Sequence, residues 1–349
     1  MPCSRAPRDQ CQEEITLSAL DQPYVYRPAR MDDVEGVVEV CNAWTLKARG
    51  IHEHDVERQR VNWQRSGFDL DSDTRVVEDA TGTLIAYAVV SDTLTDYARI
   101  RGSVYVLPDC EDAALGEALL DWIEIRARHS IPQTRHETRV AVSHLAMAQD
   151  ELRGDLLLRK GYRLVHHSVR MRYGMSAPPD PVILPDGISI RSFDRGKDLP
   201  AISAAVQEAF RHHWGFVRRD LDVDVARYER WLDDDPGIDA AVWHLACVDG
   251  NVVGVCLGTT RYSADQDQAY IFTLGVRDAW RGRGIGRALL LHAFATFYEK
   301  DRSVVDLDVD TVNVTGALRL YESVGMHPLW QIDEYEKELR PGVDLTRRG

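Results

Sequence analysis

The sequence predicts an α/β (α+β) chain made of two tandem copies of one domain. Three observations carry that prediction. A proline-rich stretch divides the chain near its middle. The segments on its two sides follow the same order of elements. Two pairs of landmarks, Arg27 with Arg191 and Gly161 with Gly325, each stand 164 residues apart. Equal separations at both ends of an ordered set of elements are the mark of an internal duplication. The length of 349 residues also exceeds one ordinary core and suits two domains of roughly 150 residues each.

The dividing stretch is Ser176–Gly187, SAPPDPVILPDG, with four prolines in twelve residues. Proline at that density excludes a helix and favours an extended connector. The boundaries that follow are a lead-in over 1–23, one copy over 24–175, the connector over 176–187, a second copy over 188–340 and a tail over 341–349. The first copy opens with Tyr24-Val25-Tyr26-Arg27 and an amphipathic run from Asp32 to Trp44. The second opens with Ile188-Ser189-Ile190-Arg191 and a similar run from Asp198 to Phe210. Each reads as a short strand followed by a helix. A hairpin comes next in each, RVVEDATGTLIAYAVV turning at Thr81-Gly82 and HLACVDGNVVGVCLG turning at Asp249-Gly250. Strand, helix, strand, helix and a final strand complete both copies.

Composition narrows the function. The formal net charge of −14 opposes a phosphate-backbone reader, so no nucleic-acid partner is expected. No apolar run approaches the roughly 20 residues of a membrane span. The N-terminal MPCSRAPRDQCQEE lacks the apolar centre of an export signal. The six cysteines are scattered, with no C-x-x-C pair, which reads as a reduced, cytoplasmic chain. His52-Glu53-His54-Asp55 has no partners at ligand spacing, so it reads as a helix end or loop and no metal is expected.

The segment richest in chemistry is YIFTLGVRDAWRGRGIGRALL, Tyr270 to Leu290. Tyr270–Val276 is apolar and β-prone, so it reads as a buried strand. Leu289–Tyr298 continues as a helix with an apolar face. Between them lies Arg281-Gly282-Arg283-Gly284-Ile285-Gly286-Arg287. Glycines leave backbone N–H groups uncovered, and the following helix points its positive end at them. The product is an anion site of pyrophosphate size, to which Arg281, Arg283 and Arg287 can add charge-assisted bonds. The spacing fails the dinucleotide fingerprint, and no Gly-Lys-Ser/Thr follows, so two other nucleotide loops are excluded.

Arg281-x-x-Gly284-x-Gly286 directly after Leu274-Gly275-Val276 resembles the coenzyme A motif of the GNAT superfamily of N-acyltransferases. Asn313-Val-Thr-Gly-Ala317-Leu-Arg-Leu320-Tyr321-Glu-Ser-Val-Gly325-Met326 resembles that superfamily's second motif, in the right order and with strand Val304–Val309 between. The resemblance covers residues 188–340, and the duplicated layout extends its fold to the first copy, as in tandem members with one degenerate copy. It implies, in each copy, a bent mixed β-sheet flanked by helices, with two parallel strands that splay to admit acetyl-CoA. Backbone groups of Leu274, Gly275 and Val276 would bond the pantetheine arm, those of Gly282, Arg283, Gly284, Ile285, Gly286 and Arg287 the pyrophosphate, and Asn313 would bond the arm or cap its helix. The activity implied is acetyl transfer to a primary amine of a small molecule by direct attack in a ternary complex, with the second copy catalytic. A peptide amine, or an acetyl-CoA-binding sensor without turnover, are the alternatives. The state, monomer or homodimer, stays open.

Tyr321 stands at the superfamily's general-acid position, or is a packed helix tyrosine. The base is open between Asp308 or Asp310 and His213. Asp306, Asp308 and Asp310 share one strand face, and His213 sits in His212-His213-Trp214-Gly215 after the copy's first helix. Trp214 and Phe216 would line the acceptor pocket or join the core. Tandem members of this layout carry a carboxylate on the strand before the cofactor motif. It would fall near Tyr270, a further substrate-binding candidate, so the acceptor is not carried over. The first copy lacks the motif. Val104-Tyr-Val106-Leu-Pro-Asp109-Cys-Glu111-Asp112 puts acids where the arginine and glycines would be, and Leu157 holds the tyrosine position. This copy is expected not to catalyse. It would be a structural partner, a cover for the acceptor pocket, or a weak cofactor binder.

Overall fold

A computed structural model describes residues 24–92, 98–110, 112–234, 238–265, 267–310 and 316–345. The first copy holds β1 (Val25–Arg27), α1 (Val34–Arg49), α2 (Val56–Gln64), α3 (Leu70–Asp73), β2 (Thr74–Glu78), β3 (Leu84–Ser91), β4 (Arg99–Val106), α4 (Ala113–Arg128), β5 (Val140–Met147), α5 (Glu151–Arg159) and β6 (Arg163–Gly174). The second holds β7 (Ser189–Ser192), α6 (Leu199–Phe210), α7 (Leu221–Asp234), β8 (His244–Val248), β9 (Asn251–Thr259), β10 (Gln268–Val276), α8 (Ile285–Glu299), β11 (Val304–Asp310), α9 (Ala317–Ser323) and β12 (His327–Arg340). Residues 176–187 contain no helix or strand. The opening arginines do the same work in both copies. Arg27 grips Asp33 at 2.6 and 2.8 Å, and Arg191 grips Asp198 at 2.5 and 2.7 Å, each tying the first strand to the start of the first long helix.

The two copies share one sheet of twelve strands, in the order β1-β2-β3-β4-β5-β12-β6-β11-β10-β9-β8-β7. The order is symmetric about the β12–β6 pair. Each copy's last strand has crossed to the other, so β12 pairs with β5 and β6 pairs with β11. Pattern reading of each half alone does not reveal this exchange. It joins the copies by backbone ladders on both sides of the β12–β6 pair, so the boundary between them is a strand pair and not a flexible interface.

Helices α2, α3 and α7 are additions to the elements read from sequence. Helix α2 buries only Trp63, so it has no apolar stripe to betray it, and Asp55 starts it by accepting a bond from the Arg58 N–H. Helix α8 is the opposite case. Its Ile285, Leu289, Leu290, Leu291, Phe294 and Phe297 are all buried in the core of the second copy, each worth about 1.5–3 kcal/mol of apolar burial. That packing fixes where its N-terminus points.

Candidate active site

The site begins with a failure of pairing. Strands β10 and β11 run parallel, but only Gln268–Tyr270 pair with Val304–Asp306. Beyond that point β10 stays on β9 and β11 stays on β6, so the two separate. A register shift at Ile271/Thr273 bends β10 where the gap opens. The gap is a cavity of about 340 Å³. Leu274, Gly275 and Val276 line one wall and Leu307, Asp308, Val309 and Asp310 the other. The loop Arg281, Gly282, Gly284, Ile285, Gly286 and Arg287 closes one end, and Tyr321 on α9 also lines the space. An unpaired strand edge facing a cavity is a template for an extended ligand.

The loop is shaped by left-handed glycines. Gly282 has φ +72° and Gly284, the residue before α8, has φ +80°, where L side chains are strained. No side chain caps the start of α8. The first N–H groups of the helix are therefore left to an anion from outside. The arginines divide the labour differently from the sequence expectation. Arg281 donates from Nε to the Val276 carbonyl at 3.0 Å and from Nη2 to the Ala209 carbonyl at 2.6 Å, and pairs with Asp278 at 3.1 Å. Its guanidinium thus staples β10 to the end of α6 and is not free for phosphate. Arg283 lies over the Trp280 ring at 4.7 Å, and Arg287 is exposed beside the cavity. Asn313 lies outside the described residues.

Tyr321 is 7% exposed, and no described residue bonds its hydroxyl. Burial, with a smaller push from Cys256, holds its phenol well above the usual range, so it stays protonated and can donate. Across the cavity, burial holds the His213 imidazole below its ordinary value against the opposing pull of Asp310. A neutral imidazole at neutral pH can accept a proton.

The three aspartates of β11 separate by depth. Asp306 is fully buried, clamped by both donor nitrogens of Arg172 at 2.8 Å and by Gln268 at 2.5 Å. Asp308 has both oxygens engaged. Arg170 donates to them at 2.5 and 3.1 Å, and the Tyr270 hydroxyl donates at 3.0 Å. That engagement gives Asp308 a structural task beside its place in the cavity lining, since it bridges Arg170 of the first copy and Tyr270 of the second while its side chain stays 32% exposed. Asp310 lines the cavity and faces His166 at 3.7 Å.

The substrate-binding candidates also move. Tyr270 precedes the point where the strands part, so its ring stacks on Tyr262 at 4.2 Å and its hydroxyl holds Asp308, without lining the cavity. Trp214 does not line it either. Its indole stacks on His166 at 4.1 Å and carries the Arg99 guanidinium at 3.9 Å. Phe216 is half-buried, outside the lining, with its N–H on the His213 carbonyl. Residues His52–Asp55 serve structure: Glu53 pairs with Arg49, the His54 ring meets the edge of Tyr105, and Asp55 caps α2. Among the described residues no group of three or more metal-ligating side chains occurs, and no helix is long and apolar enough to cross a membrane.

His166, Arg170 and Arg172 come from β6, a strand of the first copy, and sequence reading missed them. A signal was present. Arg170-x-Arg172 has the same period-two spacing as Asp306-x-Asp308, and the two strands pair with Arg172 opposite Asp306 and Arg170 opposite Asp308.

The first copy repeats the splay and keeps a cavity, but two of the positions a cofactor would use are taken by its own side chains. Strands β4 and β5 pair only over Arg99–Arg101 and Ala141–Ser143, leaving a cavity of about 280 Å³. The Asp112 side chain caps α4 by accepting from the Ala114 N–H, so a carboxylate already sits where an anion would bind. Arg153 donates to the Val104 carbonyl at 2.8 Å, inside the gap.

Residues 201–326 match the Acetyltransferase (GNAT) family. A mycothiol acetyltransferase of Streptomyces avermitilis is 32% identical over 83% of this chain and 88% of its own. The crystal structure of a GCN5-related N-acetyltransferase from Sphaerobacter thermophilus is 30% identical, covers 93% of this chain and 98% of that one, and superposes with a TM-score of 0.78. A tandem GNAT protein from the clavulanic acid biosynthesis pathway, 14% identical, shares the fold with a TM-score of 0.70 over 92% of this chain and 100% of that one. With its splayed parallel strands, its uncapped glycine loop and these relatives, the chain is an acyltransferase that belongs to the GNAT family.

Proposed function

We propose that the second copy transfers an acetyl group from acetyl-CoA to a primary amine of a small molecule, by direct attack with both substrates bound. The observation that carries this reading is one continuous cavity that runs from the uncapped start of α8 to Tyr321, with His213 and Asp310 on its walls. Its residues fit the ligand. Backbone groups of Leu274, Gly275 and Val276 would extend the sheet onto the pantetheine arm. Those of Gly282, Arg283, Gly284, Ile285, Gly286 and Arg287 would take the pyrophosphate.

Acetyl-CoA supplies the acyl group as a thioester. The amine nitrogen forms the new C–N bond as the C–S bond breaks. His213 takes the amine proton, directly or through a water, and the neighbouring Asp310 favours the imidazolium so formed. Tyr321, kept protonated by burial, gives its proton to the leaving thiolate.

The acceptor follows less directly. Relatives named for mycothiol make the desacetyl form of that thiol the first amine to test, with plain primary amines beside it. The carboxylate nearest Tyr270 is Asp308, supplied by β11. The assay is mass-spectrometric detection of the acetylated amine. Product formation that falls about 100-fold or more in Tyr321→Phe and in His213→Gln is the expected result. Tight acetyl-CoA binding with no product from any amine would instead make the chain a cofactor-binding sensor.

A further inference from the structure

The loop that carries His213 is held by both copies: within its own, the His213 ring meets Phe210 of α6 at 4.6 Å and its N–H donates to the Phe210 carbonyl at 2.8 Å, and the next residue is gripped by the other. Trp214, the next residue, packs its indole on the His166 imidazole, with ring centroids 4.1 Å apart and planes 2° from parallel, and under the Arg99 guanidinium at 3.9 Å. Arg99 lies on β4 and His166 on β6, both strands of the first copy. The next residue, Gly215, is required twice over. Its φ is +76°, and a Cβ there would stand 2.8 Å from Arg99 Nη1. Arg99 is itself buried and paired with Glu336 of β12 at 2.8 Å, so the grip rests on a fixed cation. A desolvated guanidinium on an indole face is a strong form of that contact. His166 also faces Asp310, the carboxylate beside His213.

We propose that Arg99, His166 and Trp214 are positioning residues for catalysis: the non-catalytic copy grips Trp214 and thereby holds His213 at the cavity wall. The proposal rests on the reading of His213 as base, but its geometric half can fail separately. It gives the degenerate copy a task that survives the loss of its own anion site. It also explains why the segment His212-His213-Trp214-Gly215 combines a titrating ring, a large aromatic and a glycine. The groups that face His213 are Asp310 from β11, Arg281 from the loop before α8, and His212 from its own segment. With these unchanged, loosening Trp214 lets water reach the imidazole and removes the burial that depresses its protonation.

The test follows the His213 ring by NMR of protein with labelled histidines, its signal assigned through His213→Gln, in wild type, Trp214→Ala, Trp214→Phe and Arg99→Gln. In wild type the ring should titrate below the ordinary value of about 6.5. In Trp214→Ala and Arg99→Gln it should move up toward that value, while Trp214→Phe, which keeps a stacking ring, should stay near wild type. Acetyl-CoA affinity measured by calorimetry should stay within about twofold in all of them, because the grip touches none of the loop. An unmoved His213 titration in folded Trp214→Ala or Arg99→Gln would overturn the grip. So would a Trp214→Phe protein that behaves like Trp214→Ala. Should Trp214→Ala not fold, Arg99→Gln decides alone. Loss of the grip with unchanged acetyl transfer would refute its catalytic role. A His213→Gln protein of full activity would refute the base assignment while leaving the grip standing.

Discussion

Replacing Tyr321 by phenylalanine separates its two possible employments. The hydroxyl is bonded by no described residue, so its removal costs the folded state no hydrogen bond, and the ring keeps its packing in the second core. Stability should therefore hold within about 0.5 kcal/mol. If the phenol protonates the thiolate, its loss removes a general acid, worth about 10²-fold or more in kcat, or at least about 2.7 kcal/mol of transition-state stabilisation. Binding of acetyl-CoA should not change, because strand edge and glycine loop are intact. The assay is steady-state acetyl transfer, with kcat and KM measured separately across pH. Burial raises the phenol above its usual range, so wild type should show no alkaline fall from this group below about pH 10. A Tyr321→Phe enzyme with kcat within about threefold of wild type would refute the acid and leave Tyr321 as core.

Two further predictions concern the frame around the site. Arg170→Met removes a guanidinium 4% exposed that holds Asp308 and the Tyr262 hydroxyl, and leaves a charge without its partner across the strand exchange. Urea denaturation should show a loss of about 1.5–3 kcal/mol, and a loss below about 0.5 kcal/mol would mean that this pair does not tie the copies together. Burial depresses His54 to about 4, His244 to about 3 and His144 well below its usual value. The folded state keeps them neutral while the unfolded state takes protons below about 6.5, so stability falls as pH drops through that window, by up to about 1.4 kcal/mol per pH unit for each ring. Thermal melts between neutral pH and about pH 5 should show the slope, and a flat profile would contradict it.

The parts legible in the sequence are those whose physics is local. Gly282, Gly284 and Gly286 before an apolar helix announce an anion loop, because backbone conformation and helix polarity both act within a few residues. The duplication was legible for the same reason, since Arg27–Asp33 and Arg191–Asp198 are short-range pairs. The exchange of β6 and β12 was not, because strand partners are chosen by long-range pairing that alternation within a strand does not encode. Two differences at the site follow from it. Asp308 reads as one of three candidate bases, without the Arg170 that the other copy brings to it, and Trp214 reads as pocket or core, without Arg99 and His166. Arg281 failed for a different reason. A cation beside a phosphate loop has two good partners, and here two nearby carbonyls, of Val276 and Ala209, hold it.

The central claim is that one copy works and the other supports it. Titration calorimetry of the whole chain with acetyl-CoA tests it most directly. The account predicts one site per chain, because Asp112 and Arg153 occupy the first copy's anion and strand-edge positions. Two sites per chain would contradict the division of labour, and no binding at all would remove the acetyl-CoA assignment itself.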